Sequence, residues 1–142
     1  MTVTAIDHIL VLSDDIDATR DFYCRALGLT VGPRPPLEFP GYWLFGEDGP
    51  CVHIADRAVY NERARDLGLG TADEGVAGRI DHVAFAATDY AAAAERLERD
   101  GIAAIANVVP EAGMRQLFFS DPGGVRIEVN VVERDAAVAR GE

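Results

Sequence analysis

The sequence predicts an α+β fold built from two βαβββ modules. Three observations carry this. The phrase Ile6-Asp7-His8 returns as Ile80-Asp81-His82 about half the chain later. Each copy opens a run of branched apolar residues, is followed by an acidic turn, and leads into an amphipathic helical pattern. The segments after each helix then alternate with the two-residue period of strands. Two like modules that each offer one imidazole also suggest a shared site.

In the first module, Ile6–Leu12 reads as a buried strand with Ile6, His8, Leu10 and Leu12 on one face. Ser13, Asp14 and Asp15 are candidates for the N-cap of a helix over Ile16–Leu27, and Gly28 for its left-handed stop. Leu29–Val31 begins a second strand. Four prolines between Pro33 and Pro40 mark a stiff, non-helical connection. Gly41–Phe45 and Cys51–Ala55 are the third and fourth strands, separated by the turn Gly46-Glu47-Asp48-Gly49, with Cys51, His53 and Ala55 sharing a face. The module boundaries are about 5–55.

Residues 56–79 break the pattern. They predict a loose, mobile connector holding one short helix whose apolar side is Tyr60, Ala64 and Leu67. The second module, about 80–132, repeats the order. It has a strand over Ile80–Ala87, a helix over Tyr90–Arg99 capped by Asp89, a short strand at Ile102–Ile105 and a strand at Met114–Ser120. After the turn Asp121-Pro122-Gly123-Gly124 comes a last strand, Val125–Val132. On that strand Arg126, Glu128 and Asn130 share one face. The tail 133–142 is polar, frayed or a short helix. Allowing one inserted residue, His53 in the first module corresponds to Glu128 in the second.

At 142 residues and net charge −11 the chain is long enough for a sizeable core and repels a phosphate backbone, which argues against nucleic acid as a partner. No apolar run approaches the ~20 residues of a membrane span, and the N-terminus has no signal-peptide pattern, so a soluble cytoplasmic protein is expected. All 13 basic residues are arginine, which excludes lysine Schiff-base chemistry. Cys24 and Cys51 are expected as free buried thiols.

The candidate site is His8, His53, His82 and Glu128. Three imidazoles and a carboxylate suit one first-row divalent ion, Zn, Ni, Co, Fe or Mn. Spacing alone is no signature. The argument is that every histidine of the chain falls on a strand position equivalent to that of another candidate, beside small or polar neighbours, and that Glu128 with Arg126 is out of place on an apolar face.

These residues resemble the vicinal oxygen chelate superfamily, which includes glyoxalase I, methylmalonyl-CoA epimerase, fosfomycin-resistance thiol transferases, extradiol dioxygenases and bleomycin-binding proteins. The carriers are Ile6-Asp7-His8, Thr19-Arg20-Asp21-Phe22-Tyr23 with Leu27-Gly28, Ile80-Asp81-His82-Val83-Ala84-Phe85, and Asp121-Pro122-Gly123-Gly124-Val125-Arg126-Ile127-Glu128. The resemblance implies that the two modules form an eight-stranded cup around one metal. It makes His8, His82 and Glu128 the commonest ligands, and places His53 where isomerase-type members more usually carry Glu or Gln.

It also implies a small substrate held through two vicinal oxygens. Three chemistries follow from it. A glyoxalase-type lyase or isomerase would use Glu128 as the proton shuttle. An Fe(II) extradiol-type dioxygenase would use His8, His82 and Glu128 as its triad and His53 as acid/base. A non-enzymatic drug or metabolite binder would rely on its aromatic lining. Tyr42, Trp43, Phe118 and Arg126 are the candidate pocket residues, and a homodimer is expected because modules can pair between chains.

Overall fold

The computed structural model describes residues 1–2, 5–75 and 80–133. It divides into two compact units, the first running to Ile80 apart from the last turn of its helix, the second from Asp81 onward. Each is a four-stranded mixed sheet with helices.

The first unit contains β1 (Ile9–Ser13), α1 (Ile16–Leu27), β2 (Thr30–Gly32), β3 (Gly41–Gly46), β4 (Gly49–Asp56) and α2 (Arg57–Asp66). The strand order is β1-β4-β3-β2, with β1 parallel to β4 and the other pairs antiparallel. Asp15 caps α1 by accepting from the Ala18 N–H, and Gly28 closes it in the left-handed region at φ 68°. Helix α1 covers the face that carries Val11, Leu44, Val52 and Ile54, all buried. Two polar ties fix it there: Ser13 Oγ lies 2.7 Å from Thr19 Oγ1, and Tyr42 Oη donates to Asp17 Oδ1 at 2.5 Å. The opposite face carries His53, opposite Leu10 on β1 and Trp43 on β3.

The phrase Ile6-Asp7-His8 lies just ahead of the ladder rather than inside it, and Ile6 is 89% exposed. The reason is local. The β3–β4 register runs Leu44↔Val52 and then Phe45↔Pro50, so Cys51 is an extra residue on β4. Cys51 is the position that would have extended the β1–β4 ladder back to His8.

Residues 56–75 of the connector hold more hydrogen-bonded structure than the sequence suggests. Asp56 caps α2, and Arg57 reaches both Asp14 and Asp73, at 2.7 and 2.9 Å. Thr71 and Glu74 form a capping box around the short 3-10 turn Ala72–Glu74. Ala64 is buried as expected, but Leu67 is exposed. Residues 76–79 of the connector and 134–142 of the tail lie outside the described residues.

The second unit contains β5 (His82–Ala87), α3 (Tyr90–Arg99), β6 (Ile105–Val109), β7 (Met114–Ser120) and β8 (Arg126–Val132). Its order, β5-β8-β7-β6, and its directions repeat the first unit. The second strand of this unit falls at Ile105–Val109 instead of Ile102–Ile105, because residues 102–104 lead away from the turn at Gly101 without ladder partners. Leu117, Phe119, Ile127, Val129 and Val131 form the buried face. Arg115, on that same face, stacks its guanidinium on Tyr90 of α3 at 3.6 Å, which places α3 there. The other face carries Glu128, Asn130, Gln116 and Asn107, as their direct cross-strand pairings require. Cys24 and Cys51 are free, and half-buried rather than fully buried.

Candidate functional site

Each unit places its chemistry on the sheet face turned away from its helix. In the second unit Asp121 starts the construction. Its Oδ1 accepts from the Gly123 and Val125 N–H groups, both at 2.8 Å, and this turn aims β8 so that Glu128 sits two residues inside the ladder. Glu128 is only 7% exposed, so its charge needs partners.

It has two. Gln116 Nε2 donates to Glu128 Oε1 and, at 3.0 Å, to Asn130 Oδ1; Asn107 Nδ2 donates to Gln116 Oε1 at 2.7 Å. The other oxygen, Oε2, lies 3.1 Å from His82 Nε2. His82 Nδ1 is held in turn by Asp81 Oδ2 at 2.8 Å, and Asp81 is gripped by Arg126 at 2.9 and 3.1 Å. The hydrogen bond that Nδ1 donates to Asp81 is the main reason the His82 pKa stands above the usual imidazole value, with Glu128 adding to it and burial opposing. Asp81 itself is pulled below the usual carboxylate range, chiefly by that bond and by Arg126.

In the first unit His8 repeats one part of this, since its Nδ1 lies 2.6 Å from Asp7 Oδ2. The Asp-His phrase is therefore a working pair in both modules: the carboxylate holds Nδ1 and leaves Nε2 as the outward nitrogen. His53 is different. Its ring is sandwiched between His8, with centroids 3.8 Å apart and planes 14° apart, and Trp43, at 4.1 Å and 6°. Burial is the main cause that lowers the His53 pKa, and the neighbouring His8 and Arg34 lower it further. These surroundings favour the neutral form of the His53 imidazole.

The structure thus brings His82 to Glu128 and His8 to His53, one pair in each unit. Register makes the pairs equivalent. His53 stands opposite Leu10, two residues past His8, and Glu128 opposite Ala84, two past His82. Trp43 pairs with His53 as Phe118 pairs with Glu128, so both pocket candidates lie on the site faces. Tyr42 does not, and this corrects its place among the pocket residues. It takes the helix side, bonded to Asp17 and Arg20, because strand alternation puts it one residue out of phase with Trp43. Arg126 serves Asp81 instead of standing free.

Gln116, Asn107, Asp7 and Asp81 are the site residues that reading the sequence for ligands passed over. A signal existed for Gln116, a polar residue between Met114 and Phe118 on a strand whose alternate positions are buried. For the aspartates, the signal was the twice-written Asp-His itself.

Among the described residues no three His, Cys, Asp or Glu side chains cluster as a metal site. The two pairs differ in the donors they offer an ion. In the second unit they fit: two ligands ~2.1 Å from one ion at about a right angle are ~3 Å apart, and His82 Nε2 and Glu128 Oε2 are 3.1 Å apart. A proton on Nε2 and a divalent ion are alternative occupants of that position. In the first unit His8 offers Nε2, while the parallel stack keeps the His53 lone pairs in a different plane from those of His8.

Repetition of a βαβββ unit with an Asp-His pair at the head of each sheet defines the class of two-module βαβββ proteins. Residues 5–129 match the family model of the Glyoxalase/Bleomycin resistance protein/Dioxygenase superfamily, and the chain belongs to that family. It is 30% identical over 130 residues to a protein of Arabidopsis thaliana named Glyoxylase I 4, an alignment covering 89% of this chain and 70% of that one. Among solved structures it resembles a lactoylglutathione lyase from Agrobacterium tumefaciens, with TM-score 0.69 and 22% identity, covering 92% of this chain and 95% of that one. It also resembles TnmS3, an antibiotic-binding protein from Streptomyces sp. CB03234, with TM-score 0.64 and 19% identity over 94% and 99% of the two chains. At these identities the structural likenesses speak for the fold alone. Members of this family bind small molecules and typically use a divalent metal. No helix among the described residues is long and apolar enough to cross a membrane.

Proposed function

We propose that this protein is a metal-dependent enzyme of glyoxalase type, a lyase or isomerase that holds a small substrate through two vicinal oxygens. The observation that carries the reading is the line Asp81–His82–Glu128–Gln116, in which one carboxylate oxygen is pinned and the other faces an oriented imidazole. His8, His82 and Glu128 would hold the divalent ion, with His53 as fourth ligand or neighbouring base. When bound, the ion would supply Lewis acidity to two adjacent substrate oxygens.

The chain's own residues do the rest. Asp7 and Asp81 fix the ring orientation of His8 and His82. Gln116 restrains Glu128 at Oε1, so proton uptake and return fall to Oε2. Trp43 and Phe118 supply flat apolar walls beside the two pairs. The 30% identity to a protein named Glyoxylase I 4 supports the glyoxalase branch. The functional unit is proposed as a homodimer.

A second reading has one observation behind it. Because the rings of His8 and His53 are stacked nearly parallel, their in-plane ring nitrogens do not point to a common place. That leaves two histidines and one carboxylate as ligands and His53 as a neutral acid/base, the donor set of Fe(II) dioxygenases. Metal analysis of protein purified without added metal or chelator separates the two: iron supports the dioxygenase, whereas nickel, zinc or cobalt supports the isomerase. Protein with no bound metal after such purification, and none taken up on titration, overturns both.

A further inference from the structure

We propose that Arg34 is a substrate-anchoring residue that seats the carboxylate of an organic acid beside the His8–His53 pair. The inference rests on the reading of that sheet face as a substrate-binding surface, and it adds the substrate's charge.

The net charge of −11 sets the problem, since an anionic substrate meets a repulsive field unless a local cation receives it. Most arginines with assigned contacts cannot serve. Arg20, Arg57, Arg63, Arg65, Arg115 and Arg126 each face a carboxylate of the protein itself.

Arg34 is arranged otherwise. Its guanidinium lies over the ring of Phe39 at 5.2 Å, and one terminal nitrogen donates to the Phe39 carbonyl at 2.6 Å. Its Nε–H is buried and has no partner. A buried donor on a charged group is costly to leave unmet, and a carboxylate is the acceptor whose two oxygens match the guanidinium fork.

The location fits the same role. Gly32 is directly opposite Trp43, which is directly opposite His53, so all three share the site face. A Cβ on Gly32 would stand 2.3 Å from the Phe45 ring, so that ring lies across the same face. Arg34 follows two residues later, between Pro33 and Pro35, which hold it extended and cut the entropy it loses on gripping a ligand. Arg34, held on Phe39 two residues past the strand that faces Trp43, offers a cation that suits a carboxylate on a planar apolar body.

The test uses benzoate and its uncharged match benzamide. Binding is followed through the fluorescence of Trp43, the chain's single tryptophan, whose ring stacks on His53. Wild type is titrated as purified and after EDTA. A charge-assisted pair predicts that benzoate binds about 10–100-fold more tightly than benzamide in both preparations. Arg34→Gln should bring the two ligands to within about twofold while the melting curve shows a folded protein. Arg34→Lys, which keeps charge but loses the fork, should retain part of the preference.

Failure of wild type to bind benzoate, equal binding of the two ligands, or a preference that survives in folded Arg34→Gln overturns the proposal. So does a preference that EDTA abolishes, since a metal and not Arg34 would then hold the anion. A protein that retains no metal yet keeps the Arg34-dependent preference overturns the metal reading and leaves this one standing.

Discussion

His82 Nε2 and Glu128 Oε2 stand 3.1 Å apart across two neighbouring parallel strands, and each is held from behind, His82 by Asp81 and Glu128 by Gln116. Pinned on both sides, the pair has little freedom to seek other partners. Such restraint is wasted on a surface ion pair and useful for a site that must present two donor atoms at a set distance.

The first prediction follows from that pair. His82→Ala and Glu128→Gln should each lower bound divalent metal to background in protein purified without chelator, as read by elemental analysis, while the circular dichroism spectrum stays native. In wild type, acid should release metal as protons compete for the imidazoles, below the free histidine value of ~6.5 by an amount set by affinity. Equal metal content and equal pH profiles in wild type and His82→Ala would remove His82 from the site.

A second prediction concerns Gln116, which touches the carboxylate but would not touch the ion. Gln116→Leu leaves a buried Glu128 oxygen and the Asn107 amide without their partners, a loss of about 1–3 kcal/mol in unfolding free energy. Metal affinity should fall about 10–100-fold. A purely structural role would show the stability loss in denaturant melts without the change in metal affinity.

The third prediction is independent of any metal. The Tyr42 hydroxyl is raised above its ordinary value, chiefly by the hydrogen bond it donates to Asp17 and next by burial, with Arg20 opposing. A raised acid favours its neutral form in the folded state. Its contribution is therefore complete below the unfolded tyrosine value of ~10 and is lost as pH rises through the higher folded value. The 295 nm difference titration of wild type against Tyr42→Phe isolates this phenol among four tyrosines. Asp17→Ala should move its midpoint down. An unmoved midpoint would separate the Tyr42 titration from Asp17.

How much of this was legible beforehand depends on the range of the forces involved. Helices α1 and α3 matched their expected limits, because Asp15, Gly28 and Asp89 act on their own neighbours in sequence. Strand limits drifted at β1, β5 and β6, where the ladder depends on a partner far along the chain. The equivalence of His53 and Glu128 was readable only by allowing one extra residue in the second module, where Glu128 is 46 residues past His82 while His53 is 45 past His8. Tyr42 was misplaced because an aromatic cluster in sequence says nothing of phase, while strand alternation sends Tyr42 and Trp43 to opposite faces. Arg34 gave no signal at all. Its distinction is a buried Nε–H without an acceptor, which is a property of the folded chain.

The last prediction separates the two roles open to His53. A nitrogen ligand presents its lone pair in the ring plane. His8 and His53 are parallel to within 14° with centroids 3.8 Å apart, so in this arrangement their lone pairs do not converge. Trp43 on the far side, nearly parallel at 4.1 Å, resists the rotation that would change this. His53→Ala should accordingly keep metal within a few-fold of wild type, whereas His8→Ala should lose it, and an acid/base role would show as a fall in turnover of about 10²–10⁴ with the metal in place. Trp43→Ala frees the ring, and if His53 is a ligand held off by stacking, that variant should bind metal more tightly than wild type. Loss of metal in His53→Ala equal to that in His8→Ala would make His53 the fourth ligand and return the site to the isomerase-type set.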